Sequence, residues 1–282
     1  VVLPGIGGRL WDVRFQGHSL LFQNQDLQGY VPDLKALHGY PTRSPQFGFP
    51  LWGGEKTWVA PDKNWPNGGP HVDLDSGPYE PLEHGQDHIA LRSLVCSQSG
   101  LQIEREIRLE SGSEFAIHHK VSNHGADARD VGIWSVMMLN HKARIGIPDN
   151  DMKTSDVFGN PAGFYSQFDE GIIWNCDEPG EFKMGTENPN GLALVRVKAD
   201  QTTIWMRCET PPPMVDGTFA HTYPFEVFNS GDYAYCEAEW HGPLQALCPN
   251  ASTEFTQRFK LWADDAQPTL AKPEQELMKC MS

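Results

Sequence analysis

The sequence predicts an all-β chain folded as a large antiparallel β-sandwich, and three features lead there. Strict apolar/polar alternation recurs, most clearly in 101–110. There Leu101, Ile103, Ile107 and Leu109 share a face with Arg105, while Gln102, Glu104, Glu106, Arg108 and Glu110 face away. Side chains of a strand switch face at every residue, so such runs can cover a core on one side. Turn clusters such as Ser111-Gly112-Ser113 and Asn123-His124-Gly125 punctuate the runs at short spacing. Only the tail, around Pro273 to Lys279, carries a pattern that suits a short helix. Many short strands with almost no helix indicate two packed antiparallel layers. No internal repeat of fixed period occurs.

In chain order, 8–15 alternates with Trp11, Val13 and Phe15 opposite Asp12 and Arg14. Gln16-Gly17-His18 turns the chain back through Ser19 to Gln23, which reads as a hairpin. From 24 to 70 the chain is rich in Gly, Pro and aromatics without helical period, so long ordered loops with short strands are expected. Loops of that length usually serve function. Phe47, Phe49, Trp52, Trp58 and Trp65 argue against disorder here. Strands follow at 71–76, 88–96, 101–110 and 114–123, the last aligning Phe115, Ile117, His119 and Val121. Residues 131–139 are apolar on both faces, as a central strand of two packed layers should be. A second polar loop is expected over 148–170. Strands return at 171–175, 191–198, 202–208, 222–228, 233–241 and 253–262.

The richest chemistry sits in Tyr233-Ala-Tyr-Cys-Glu-Ala-Glu-Trp-His-Gly-Pro, 233–243. Ala234, Cys236, Ala238 and Trp240 fall on one side of an extended chain. Tyr233, Tyr235, Glu237, Glu239 and His241 fall on the other, an inventory suited to general acid/base work. The plain alternative is a half-buried strand with a solvated polar face. Gly242-Pro243 ends the strand, because Pro cannot donate to a ladder. Glu237 and Glu239 are two residues apart on one face, about 7 Å at Cβ. Like charges that close raise one pKa where water is excluded.

Composition narrows the partners. The chain has 282 residues and a formal net charge of -15, so nucleic acid and anionic membrane surfaces are poor partners. No apolar run approaches the ~18 residues of a spanning helix. No linker-like composition shift divides the chain, and one domain over 1–282 is expected. The first residue is Val, and the expectation is a processed or trimmed product, with a periplasmic or secreted setting slightly favoured over a cytoplasmic one. Six cysteines without a Cys-x-x-Cys pair are expected to be mostly buried thiols, with one or two bridges if the protein is exported.

Other candidates are more dispersed. His118 and His119 are adjacent, so only one faces the core; His119 suits a core histidine, and His118 is solvated or faces a ligand. His141 follows Asn140 at the end of a buried strand, where a rim can present a catalytic group. Lys56 stands in a Gly-rich aromatic loop between Trp52 and Trp58, which suits a sugar platform and equally a plain core. His71, Asp73 and Asp75 share a strand face, but linear proximity alone makes no metal site, and no metal or cofactor is expected. No dinucleotide fingerprint, Walker loop, serine-hydrolase elbow or zincin motif occurs.

Read together, Gly7-Gly8-Arg9, Phe49-Pro50-Leu51-Trp52-Gly53-Gly54-Glu55-Lys56-Thr57-Trp58, Asp75-Ser76-Gly77-Pro78-Tyr79, Asn123-His124-Gly125 and Glu237-Ala-Glu239-Trp-His241-Gly242-Pro243 carry a resemblance. Over nearly its whole length the chain resembles the galactose mutarotase-like supersandwich, within it a bacterial family related to the aldose 1-epimerases. The resemblance implies a late glutamate, Glu239 or Glu237, as base on an anomeric hydroxyl. It also implies a mid-chain histidine as acid, but where the epimerases carry His-x-Tyr-Phe this chain reads Trp134-Ser135-Val136-Met137. A substitute acid would come from His118, His119, His141 or His241. Lys56, Trp52, Trp58, Arg9 and Tyr235 are the candidate substrate-binding residues. The leading expectation is an enzyme acting on a sugar ring by proton transfer, with a small or oligomeric carbohydrate as partner. The alternatives are a uronide lyase with a His or Tyr base and Lys56 or an Arg on the carboxylate, and a non-catalytic carbohydrate-binding module. Shifted pKa values on a glutamate and a histidine in one pocket would favour an enzyme.

Overall fold

The structure is a computed structural model; it describes residues 1–282 except 37, 38, 45, 46, 150, 200, 214–216, 265 and 267. Alternation becomes two antiparallel sheets. One runs, in spatial order, Val2–Leu3, Arg9–Leu10, Glu55–Ala60, Arg129–Asn140, Tyr235–His241, Phe225–Asn229, Phe182–Thr186, Thr154–Gly159, with Gln245–Leu247 added beside the start of the Arg129–Asn140 strand. The other runs Tyr165–Phe168, Gly171–Cys176, Ala143–Ile147, Leu192–Ala199, Thr202–Glu209, Ser252–Ala263, Glu114–Asn123, Leu101–Leu109, His88–Ser93, Tyr79–His84. Neighbouring strands are joined by hairpin turns or by longer returns, and none requires a helical crossover.

The inner faces of the two sheets meet in one apolar core. Ile103, Ile117, Val121, Phe255 and Phe259 come from one sheet, and Ile133, Met137, Cys236, Ala238 and Trp240 from the other. The expected inward face of the 233–241 segment is therefore the inward face found. The Arg129–Asn140 strand is buried from Val131 to Leu139, as its apolar run on both faces requires. His119 lies between the sheets, fully buried, with Nδ1 2.7 Å from Thr57 Oγ1 and Nε2 2.9 Å from Gln257 Oε1. It is the satisfied core histidine the pattern suggested. Burial pushes its pKa down to about 3, so the ring is neutral.

Several elements differ from expectation. The 71–76 segment is a single helical turn, Val72–Asp75, because Asp75 is drawn inward to Arg9 at 2.6 Å and to Trp58 Nε1 at 2.7 Å. That turn also disperses the trio weighed as a metal site, since Asp73 accepts from Ser97 at the surface. The 24–70 region holds a short buried strand, Glu55–Ala60, among its loops as expected, whereas the 148–170 region, expected as loop, contains Thr154–Gly159 and Tyr165–Phe168, both at sheet edges. The first hairpin is shorter than expected: Arg14–Phe15 pairs with His18–Ser19 around Gln16-Gly17. The tail helix spans Lys272–Met281. No described helix is long and apolar enough to cross a membrane. The cysteines are free, with Cys96, Cys176, Cys208 and Cys236 buried.

Candidate functional site

Around the Tyr235–His241 strand the outward face of the first sheet is not solvated, for Glu237, Glu239 and His241 are all buried. Strand register explains what gathers there. Glu239 lies opposite Glu226 on one neighbour and Val136 on the other; Glu237 lies opposite Phe228 and Met138; His241 lies opposite Trp134. One strand further out, Lys56 sits beside Val136, Trp58 beside Trp134, and Lys183 beside Phe228. Each lysine is thus diagonal to a glutamate, within reach of a long side chain. Lys56 Nζ is 3.1 Å from Glu237 Oε1. Lys183 Nζ is 2.8 Å from Glu239 Oε2 and 2.9 Å from Glu226 Oε2.

Two segments of the long N-terminal region roof this face. Phe47, Phe49 and Leu51 come from one, and Asp62, Lys63, Trp65 and Gly68 from the turns that follow the Glu55–Ala60 strand. Together with Trp58, Trp134, Phe158, Lys183, Phe228, Tyr235, Glu237 and Glu239 they enclose a cavity of about 440 Å³. Its floor is ionic and its walls aromatic. Trp65 and Trp134 stack at 5.5 Å, and Trp58 meets both edge-on. Lys56 and Lys183 sit over the Trp58 and Trp134 rings at 4.1 and 4.7 Å, favourable cation–π placements. A larger hollow of about 510 Å³ beyond Trp65 is lined by Asn64, His71, Gln98, Arg129 and Asp130 among others. It is the lesser candidate, because neither of the buried carboxylate–lysine pairs reaches it.

Glu239 is fully buried. Its Oε2 accepts from Trp134 Nε1 at 2.7 Å and from Lys183, while Oε1 has no partner among the described residues. Burial raises its pKa to about 7, with Lys183 opposing and Glu237 and Glu226 assisting. Glu226 behaves oppositely. Burial pushes it up, but Lys183, His241 and His221 outweigh burial and hold it well below the usual carboxylate range. The same two carboxylates keep Lys183 protonated, above its ordinary pKa, against its own burial. Lys56 is lowered, because burial outweighs its attraction to Glu237.

The candidates drawn from sequence divide. Glu237, Glu239, Trp58 and Tyr235 line the cavity, and Lys56 supports it through Glu237. His241 shares their face, yet its Nε2 is 3.0 Å from Glu226 Oε2, and the residue lines a smaller, proline-rimmed hollow rather than the cavity. Burial takes its pKa down to about 4. His118 is a correction: Ile117 and His119 are buried to either side of it, so it points to the opposite, half-exposed face, 2.9 Å from Thr256 Oγ1. His141 sits at the strand end, half-buried, and does not line the cavity. Trp52 and Arg9 are structural. Trp52 donates to Ser76 Oγ at 2.9 Å, and Arg9 holds Asp75 and the Gly53 carbonyl.

Lys183, Glu226 and His221 escaped the sequence reading. Lys183 and Glu226 each stand alone in a short apolar strand, Phe182–Thr186 and Phe225–Asn229, and a lone charge in such a strand needs a buried partner. That was the available signal. His221 comes from a loop, with Nδ1 3.1 Å from Glu226 Oε2 and Nε2 3.5 Å from Asp62 Oδ1. These carboxylates outweigh burial and raise it to about 9. His221, Glu226 and His241 offer ligand atoms within 4.8 Å of one another. The arrangement does not read as a metal centre. Both rings and the Lys183 ammonium converge on one carboxylate oxygen, so the ammonium already supplies the positive charge.

Known structures resemble this architecture. A galactose mutarotase-like protein from Lactobacillus casei superposes with a TM-score of 0.60 at 8% identity, over 93% of this chain and 96% of its own. A Klebsiella pneumoniae protein provisionally assigned as an aldose 1-epimerase gives 0.62 at 15%, over 100% and 80%. A galactose mutarotase-like protein from Clostridium acetobutylicum gives 0.55 at 12%, over 93% and 91%. No protein-family model matches the sequence. No curated protein matches it either. With two large antiparallel sheets and superposition over nearly the whole chain, the fold is that of the galactose mutarotase-like β-sandwich proteins.

Proposed function

We propose that the protein is a carbohydrate-active enzyme of aldose 1-epimerase type, transferring protons at the anomeric centre of a sugar bound in the 440 Å³ cavity. One observation carries the reading: Glu239 lines a tryptophan-walled cavity, and one of its buried carboxylate oxygens, Oε1, has no partner among the described residues. Buried polar atoms are normally hydrogen-bonded, and an exception calls for a ligand or a chemical role. A carboxyl raised to about 7 can both take and return a proton near neutrality. Glu239 takes the proton of the anomeric hydroxyl as the ring C–O bond opens, and the ring oxygen is protonated from the same wall. Lys183, held protonated beside Glu239, is the group there that carries a proton to supply. The tryptophan faces suit the C–H faces of a sugar ring, whose hydroxyls the carboxylates can accept from.

The test is anomer interconversion on a panel of aldoses, followed by NMR exchange spectroscopy. Glu239→Gln should lower the rate by ~10²-fold or more. Full activity in that variant would remove Glu239 as the base. A wild type that binds sugars but leaves their anomers untouched would leave the binding-module reading instead. The uronide-lyase reading draws less support, because the Lys56 charge it would use on a carboxylate is already met by Glu237 at 3.1 Å. A parallel absorbance assay for unsaturated uronides checks it.

A further inference from the structure

Glu226 is fully buried, carries a charge, and does not line the cavity. The reaction outlined above does not use it. Yet it sits directly opposite Glu239 across the Phe225–Asn229 and Tyr235–His241 pair. Lys183 stands between the two carboxylates, 2.9 Å from Glu226 Oε2 and 2.8 Å from Glu239 Oε2. A buried glutamate is costly unless it is paired, so this one is expected to earn its place through its neighbours. His241 Nε2 at 3.0 Å and His221 Nδ1 at 3.1 Å bind the same Glu226 oxygen and pin it from the far side.

We propose that Glu226 is a positioning residue: it divides the Lys183 ammonium between two carboxylates, and so leaves Glu239 able to accept and release a proton in the cavity. The inference rests on Glu239 being the base, and goes beyond it by assigning what sets that base. Without Glu226, the whole of Lys183 would turn to Glu239 and clamp it as a carboxylate, a weaker base. An undivided ion pair lowers a carboxyl by roughly 1–3 units. The other charged and titratable groups around Glu239 are accounted for. On its own strand stand Glu237, Tyr235 and His241; from the Phe225–Asn229 strand comes Glu226, and from Phe182–Thr186 comes Lys183. The Arg129–Asn140 strand contributes only the uncharged Trp134 donor, and Lys56 of the Glu55–Ala60 strand is engaged by Glu237. His221, Asp62 and Lys63 come from the covering loops. Burial and the like charges of Glu237 and Glu226 act on Glu239 in one direction, Lys183 in the other. Glu226 is thus the group that both repels Glu239's charge and draws off its counter-ion.

The experiment compares wild type, Glu226→Gln and Lys183→Met. Gln keeps the shape and an acceptor for both histidines, so the Glu226→Gln variant should fold. Two readouts are taken: the pH profile of anomer interconversion, and the titration of the Glu239 carboxyl carbon by NMR on glutamate-labelled protein. In Glu226→Gln the acid limb and the carboxyl titration should both move down by about one pH unit or more, with KM little changed. In Lys183→Met, which also loses the proton donor of the proposed reaction, only the carboxyl titration is read, and it should move up. Opposite shifts are something a merely structural role would not give. An unmoved Glu239 titration in Glu226→Gln overturns the proposal, whether or not the protein is active. If Lys183→Met does not fold, Glu226→Gln alone decides. If the wild type is inert on every sugar but the carboxyl titration shifts as stated, the enzyme reading fails and the positioning role stands.

Discussion

At the residue scale the outcome turns on which buried groups find partners. Glu239 and His119 are both fully enclosed and both displaced from their ordinary pKa by burial, in opposite directions because one is an acid and the other a base. Their roles differ because His119 has both ring nitrogens bonded while Glu239 leaves one oxygen free. Activity that needs the Glu239 carboxylate should therefore rise with pH through about 7, and a flat profile between pH 5.5 and 8 would argue against it. His119 carries a stability prediction. Its folded pKa of about 3 lies below the ordinary 6.5, so the unfolded chain takes the proton first. Its contribution is intact above about 6.5 and drains away as pH falls toward 3. Urea midpoints at pH 7 and pH 5 check this: the wild type should lose more stability on acidification than His119→Gln does, with no change in the anomer interconversion rate at neutral pH.

At the element scale the Tyr235–His241 strand is buried on both faces for different reasons. Its inward side, Cys236, Ala238 and Trp240, belongs to the apolar core. Trp240→Ala should cost about 3–5 kcal/mol in denaturant unfolding, as large buried aromatics do. A loss below ~1 kcal/mol would mean that this side does not pack between the sheets. Its other side is an ion-pair grid roofed by the 47–51 and 62–68 segments. The roof predicts a difference between tryptophans. Sugar binding should quench the fluorescence of Trp58, Trp65 and Trp134, which line the cavity, and quenching should survive Trp52→Phe, since Trp52 packs against Leu27 and Ser76 away from it. Loss of the signal in Trp52→Phe would move the site toward Tyr40 and Trp52.

At the scale of the whole molecule both sheets contribute to one continuous core, from Leu10 and Val59 to Leu261 and Ala263. We expect the chain to behave as one domain, with a single calorimetric transition; two separated transitions would show that the sheets or their loops unfold independently. The all-β class, the inward face of the 233–241 segment, the buried 131–139 strand and the core role of His119 were legible in the sequence. Each is a matter of period two along a strand, and local sterics enforce that period whatever the rest of the chain does. The pairing of Glu239 with Lys183 and Glu226, and of Lys56 with Glu237, was not legible. It depends on which strands are neighbours and in what register, across separations of 56 residues for Lys183–Glu239 and 181 for Lys56–Glu237. The same holds for Asp75, which pattern assigned to a strand and a buried arginine drew into a helical turn. Alternation decided by itself which side chains would face outward from the strand. Only the tertiary structure decided that this outward face would be covered, because burial of a charge depends on what folds over it.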